Sequence, residues 1–174
     1  MPICNLDQLR ALVPPGKRLM GVDVGSTTLG LAVSDAAWRV AASITTLHRG
    51  KLRPDLEKLF ALAQERDVAG YVLGLPMEMD GKEGTACQSV RSFAFHMMRQ
   101  GQERAGAPVP VALFDERLST AAVTRAMLAE DVSRRRRAAA VDAAAASYIL
   151  QGALDRMQSL GSIPAVLSSD LGMT

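Results

Sequence analysis

Residues 21–35 read Gly21-Val22-Asp23-Val24-Gly25-Ser26-Thr27-Thr28-Leu29-Gly30-Leu31-Ala32-Val33-Ser34-Asp35, and this stretch decides the fold. With Arg18-Leu19-Met20 ahead of it, the first half has the continuous apolar character of a buried strand. Gly25-Ser26-Thr27-Thr28 leaves room only for a tight turn, and the second half is apolar again. Two strands joined so closely run antiparallel. Inside the first lies Asp23, where an unpaired ionised carboxylate is costly enough that something must compensate it, a cation first of all.

Working outward, residues 1–17 hold a short amphipathic stretch (Leu6, Leu9, Leu12, Val13) closed by Pro14-Pro15-Gly16, which reads as an N-terminal appendage. Downstream, a third strand is predicted over Trp38–Thr46. Leu52, Leu56, Leu59, Phe60 and Ala63 then recur at helical spacing until Asp67. Val68–Leu73 predicts a strand running into the loop Gly74-Leu75-Pro76, and a helix follows over Glu83–Glu103. Val109–Phe114 predicts a fifth strand; Ser119-Thr120 can cap a helix reaching Leu128, and an alanine-rich helix spans Ala138–Met157. Three antiparallel strands followed by alternating helices and strands predict an α/β fold, a mixed five-stranded sheet with helices on both faces, over residues 18–160. Residues 161–174, with Pro164 and Gly172 and no sustained period, read as a flexible tail.

Composition narrows the class. A chain of 174 residues suffices for one domain with a full core, and 48% apolar against 22% charged residues is a globular balance rather than a disordered one. Apolar runs reach only about ten residues, well under the roughly 20 of a membrane span. The start of the chain lacks the pattern of a signal peptide, so a cytoplasmic protein with no membrane partner is expected. Cys4 and Cys87 lie far apart without a Cys-x-x-Cys or Cys/His cluster, which points to free thiols. A net charge of +2 leaves the ligand open, because phosphate binding depends on where Lys and Arg sit.

Two further acidic sites join Asp23. Asp115 and Glu116 end the fifth strand, and neighbours on an extended chain point to opposite faces, so only one of them can share a face with Asp23. Glu116 is favoured and Asp115 is the second candidate. Asp142 opens an apolar stripe formed by Ala145, Ala146, Ile149 and Ala153, which should pack on the sheet and turn the carboxylate inward. Each acid also has a purely structural account: Asp23 paired with an arginine, Asp142 favouring a helix start, Asp115 accepting from backbone N–H groups at a helix start, and Arg117 pairing with either Asp115 or Glu116. Taken together they suit a hard divalent cation, Mg²⁺ or Mn²⁺, held by oxygen ligands. Two such ions can activate water and stabilise the leaving oxygen in phosphodiester hydrolysis. Arg134, Arg135, Arg136 and Arg137 lie just before the helix bearing Asp142, where they would attract phosphate, and the loop Gly74–Gly84 with its Asp80-Gly81 turn can border the site.

Four segments together resemble the YqgF/RuvX family: Gly21–Ser26 leading to Gly30–Asp35; Leu73-Gly74-Leu75-Pro76 with Asp80-Gly81; Asp115-Glu116-Arg117-Leu118-Ser119-Thr120; and Val141-Asp142-Ala143-Ala144-Ala145. The resemblance covers residues 18–156. It implies a ribonuclease H-like fold, a nuclease, and Asp23, Glu116 and Asp142 as its metal-binding catalytic acids. It also implies maturation of the 5′ end of pre-16S rRNA, with Holliday-junction resolution as the alternative. Residues expected to meet nucleic acid are Ser26, Thr27, Gly74, Pro76, Arg117, Ser119, Thr120 and the four arginines 134–137. The first turn departs from the family pattern, with Thr27, Thr28 and Leu29 where basic residues are common. Two other classes stay open: a non-catalytic RNA-binding module, and an actin-like ATP-binding module, whose first phosphate loop residues 23–28 also resemble but which needs a second domain. A monomer or a homodimer is expected, the dimer for symmetric cuts.

Overall fold

The computed structural model describes residues 3–119 and 134–161, with the side chains of residues 134–141 and 161 outside the description. Strands β1 (Arg18–Val24) and β2 (Thr28–Ser34) form the antiparallel hairpin dictated by residues 21–35, with Asp23 opposite Gly30. Strand β3 (Ala41–His48) pairs antiparallel with β2. It begins at Ala41 rather than at the predicted Trp38 because the Asp35 carboxylate accepts hydrogen bonds from the backbone N–H of Arg39 (2.7 Å) and Val40 (3.1 Å). That side-chain turn holds Trp38 at φ +57° and keeps the chain off the ladder until it is complete.

Helix α1 (Leu6–Leu12) precedes the hairpin; α2 (Leu52–Glu65), β4 (Val68–Leu75), α3 (Thr85–Ala105) and β5 (Val111–Asp115) follow it. A single 3-10 turn, Glu116–Leu118, ends β5, and α4 runs Arg134–Gly161. The strand order is β3-β2-β1-β4-β5, with β4 parallel to β1 and β5 parallel to β4. This is the mixed five-stranded α/β sheet with helices on both faces that the order of elements predicts. The helix expected from Ser119 to Leu128 and the tail 162–174 lie outside the described residues.

Alternation along β1 divides the core. Met20 and Val22 point to α2 and α3, where they meet Leu56, Leu59, Phe60, Phe93 and Met97. Leu19 points to the other face, with Ala146, Ile149, Leu150 and Leu154 of α4. Residues of the N-terminal segment share that second core. Asn5 and Gln8 form a reciprocal cap on α1, Leu9 is fully buried, Val13 nearly so, and the Cys4 N–H donates to the Val111 carbonyl at 3.0 Å.

Helix α4 lies almost on the sheet backbone. A Cβ on Gly21 would stand 2.8 Å from the Ala146 carbonyl oxygen, and one on Gly30 only 2.0 Å from that of Asp142. The missing side chains of two neighbouring strands open a groove for the alanine-rich face of α4, and so bring Asp142 down to the hairpin.

Candidate functional site

Asp23 has the same parity along β1 as Leu19 and Gly21, so its side chain rises on the α4 face. It is 6% exposed. Its cross-strand partner is Gly30, the residue on which the Asp142 backbone rests. On the other side, one residue beyond the Val22–Leu73 pair, β1 runs alongside Gly74 of β4. A Cβ on Gly74 would stand 2.6 Å from Glu116 Oε1 and 2.5 Å from Ile149 Cδ1, so the Glu116 carboxylate lies over Gly74 on this same face. Glu116 is also 6% exposed.

Three acids from β1, the turn after β5 and helix α4 therefore border one patch at the C-terminal ends of the parallel strands. Neither Asp23 nor Glu116 is turned out to bulk water, and Asp142 is half-buried. The Asp142 carboxylate accepts a hydrogen bond from the Thr28 hydroxyl, itself buried at the head of β2. Among the described residues no group of three or more His, Cys, Asp or Glu side chains is drawn together closely enough to hold a metal ion, so the three acids border the patch without converging on one point.

Asp115 takes another course. Its register partner is Leu75, and the 3-10 turn begins directly after it. Its carboxylate accepts from the Arg117 backbone N–H at 2.9 Å and from the Arg117 guanidinium at 2.7 Å, and these bonds hold it below the ordinary carboxylate range. The guanidinium of Arg117 is thereby engaged with an acid while bordering the 77–81 loop, 3.9 Å from Met77 Sδ. Ser119 closes the turn by donating from its hydroxyl to the Glu116 carbonyl at 2.9 Å.

Of the remaining expected contacts, Ser26 and Thr27 stand exposed on the β1–β2 turn and Pro76 is half-buried after β4. Gly74 is fully within the rim. Thr120 and the side chains of Arg134–Arg137 lie outside the described residues; the helix containing those arginines runs without a break to Asp142. Two functional candidates escaped the sequence. Thr28 carries no signal beyond a turn position, and Arg49 lies past the end of β3, yet its Nη1 donates to the Gly25 carbonyl at 2.6 Å.

A cavity of about 500 Å³ lies elsewhere, among Phe60, Val68, Tyr71, Arg104 and Pro108 at the other end of β4. Among the described residues no helix is long and apolar enough to cross a membrane.

A three-strand antiparallel meander extended by two parallel strands, helices on both faces and acids at the strand ends define a ribonuclease H-like protein. At the level of fold, the yeast mitochondrial Holliday junction resolvase Ydc2 aligns with a TM-score of 0.53 over 94% of this chain and 89% of its own, at 10% identity. The RuvX family model, described as Holliday junction resolvase, matches residues 17–156, and the chain belongs to this family. A Rhodospirillum rubrum relative named "Putative pre-16S rRNA nuclease" is 50% identical over 158 residues, 90% of this chain and 94% of the relative. A Paramagnetospirillum magneticum protein of the same name is 50% identical over 155 residues, 89% and 96% of the two chains.

Proposed function

We propose that residues 18–160 form a divalent-metal-dependent nuclease that hydrolyses nucleic-acid phosphodiesters and processes the 5′ end of pre-16S rRNA in the cytoplasm. The observation that carries this reading is the rim itself: buried Asp23 and Glu116, with Asp142 steadied by Thr28, directed to one face of the sheet. Carboxylates brought to one face from three different elements are the oxygen donors that a hard divalent cation prefers. Mg²⁺ or Mn²⁺ fits this donor set, since such an ion keeps several waters and is commonly held by one or two carboxylates plus substrate phosphate. When bound, it supplies Lewis-acid activation of water and stabilises the leaving oxygen.

The chain's own residues do the rest. Asp23, Glu116 and Asp142 would hold the cation, and the Thr28 hydroxyl fixes the rotamer of Asp142. Gly74 leaves the space that Glu116 fills. Ser26, Thr27, Pro76, Ser119, Thr120 and the arginines 134–137 are the proposed contacts to the strand, positioning it through its backbone.

The family description favours a second reading, cleavage of four-way DNA junctions, for which a homodimer is expected; a linear leader needs only a monomer. Side-by-side cleavage of a pre-16S leader and a synthetic junction separates the two. Asp23→Asn should abolish hydrolysis of the true substrate while leaving binding intact, and excess chelator should stop the wild type. Hydrolysis that persists in chelator, or an Asp23→Asn protein as active as wild type, would refute the metal-dependent mechanism.

A further inference from the structure

We propose that Arg49 is a phosphate-contact residue, the fixed cation against which the substrate strand is drawn to the β1–β2 turn; the assignment rests on the nuclease reading above. Arg49 leaves the end of β3 and is held three ways. Its backbone N–H donates to the Thr27 carbonyl at 2.8 Å, Nη1 donates to the Gly25 carbonyl at 2.6 Å, and the guanidinium carbon sits 5.5 Å from the centroid of the Phe93 ring. Gly25 lies two residues past Asp23, on the order of 7 Å along the chain.

Charge is what separates Arg49 from its neighbours. Arg117 is engaged by Asp115 and Arg91 by Glu83, each through a close ion pair. Among the described residues Arg49 takes part in no ion pair. A guanidinium has five N–H donors, and the Gly25 carbonyl occupies one. The turn it is fixed to carries no cation of its own, and its Ser26 and Thr27 are exposed. A phosphodiester drawn toward three acids meets repulsion, and a pre-oriented cation at the β1–β2 turn offsets it with little loss of side-chain entropy. A mere staple for the turn would need only a neutral donor.

That difference sets the test. Binding of a fluorescein-labelled single-stranded RNA and of a four-way DNA junction is followed by anisotropy in chelator across a NaCl series. Arg49→Gln keeps an N–H donor for Gly25 and loses the charge; Arg49→Lys keeps the charge. The slope of log K against log salt should shrink by about 0.7 on RNA, or about 0.9 on duplex arms, in Arg49→Gln and stay at the wild-type value in Arg49→Lys. With metal and substrate, Arg49→Gln should raise KM more than it lowers kcat. In the wild type, saturating RNA should protect Arg49 from phenylglyoxal, read by peptide mass, which needs no variant to fold. An unchanged slope in Arg49→Gln, or unprotected Arg49, overturns the assignment while leaving cleavage and the nuclease reading intact. Failure of the wild type to bind either probe overturns both.

Discussion

Gly30→Ala is the substitution that most directly tests how the rim is assembled. The added methyl would stand 2.0 Å from the Asp142 carbonyl oxygen and 2.4 Å from its carbon, where ordinary contact begins near 3.4 Å. Helix α4 must therefore retreat by about 1.4 Å at this point, because backbone on both sides leaves no rotamer to turn aside. Overpacking typically costs about 1–3 kcal/mol, and a backbone obstruction belongs at the upper end, about 3 kcal/mol. For a chain of this length that corresponds to a fall in Tm of about 6–12 °C. The same retreat lifts Asp142 away from Thr28, and a displacement on the order of 1 Å in a catalytic group can cost about 100-fold in rate. Thermal unfolding by circular dichroism and kcat/KM on the cleaved substrate read the two effects. Gly50→Ala is the control: its Cβ meets nothing nearer than Asp55 Oδ1 at 4.0 Å, so stability should stay within about 0.5 kcal/mol of wild type. A Gly30→Ala protein that melts within about 2 °C of wild type and cleaves at full rate would mean that α4 is not seated on β2 in this way.

Thr28→Val keeps the shape of the side chain but removes the hydroxyl that donates to Asp142. It should cost about 1 kcal/mol in thermal unfolding and lower kcat about tenfold, with Thr28→Ser recovering most of the loss; equal activity in both variants would exclude a positioning role. Because Arg117 holds the Asp115 carboxyl below its ordinary range, their pairing stabilises the fold above the unfolded carboxylate range near 4 and is lost as pH falls through the depressed value. The Tm gap between wild type and Asp115→Asn should accordingly close between about pH 5 and pH 2, and a gap that persists at the acid end contradicts the pairing. Leu9→Ala empties a fully buried position between α1 and α4 and should cost about 2–5 kcal/mol; an unshifted melting curve would detach residues 1–17 from the core.

Local pattern carried much of this structure. The apolar runs around Gly25–Thr28, the helical spacing of Leu52, Leu56, Leu59, Phe60 and Ala63, and the alternation of helix and strand after Asp67 are nearest-neighbour properties that the backbone obeys wherever the chain lies. The oddity of Asp23 among Met, Gly and Val is likewise visible in a single stretch. Other features are set by contacts between distant parts of the chain. Asp115 and Glu116 are adjacent and chemically alike, and only the end of β5 at Asp115, followed by a 3-10 turn, sends one carboxylate to Arg117 and the other over Gly74. The N-terminal segment reads as an appendage because nothing local reveals that Leu9 and Val13 will meet α4. Thr28 and Asp142 lie 114 residues apart, and Arg49 reaches Gly25 only because β2 and β3 pair. Sequence by itself determined the elements, their order and the acids to suspect, because propensity and periodicity act over a few residues. Which of those side chains share a surface was decided by tertiary structure alone, through the glycines that admit α4 to the sheet, since close packing is a property of two surfaces at once.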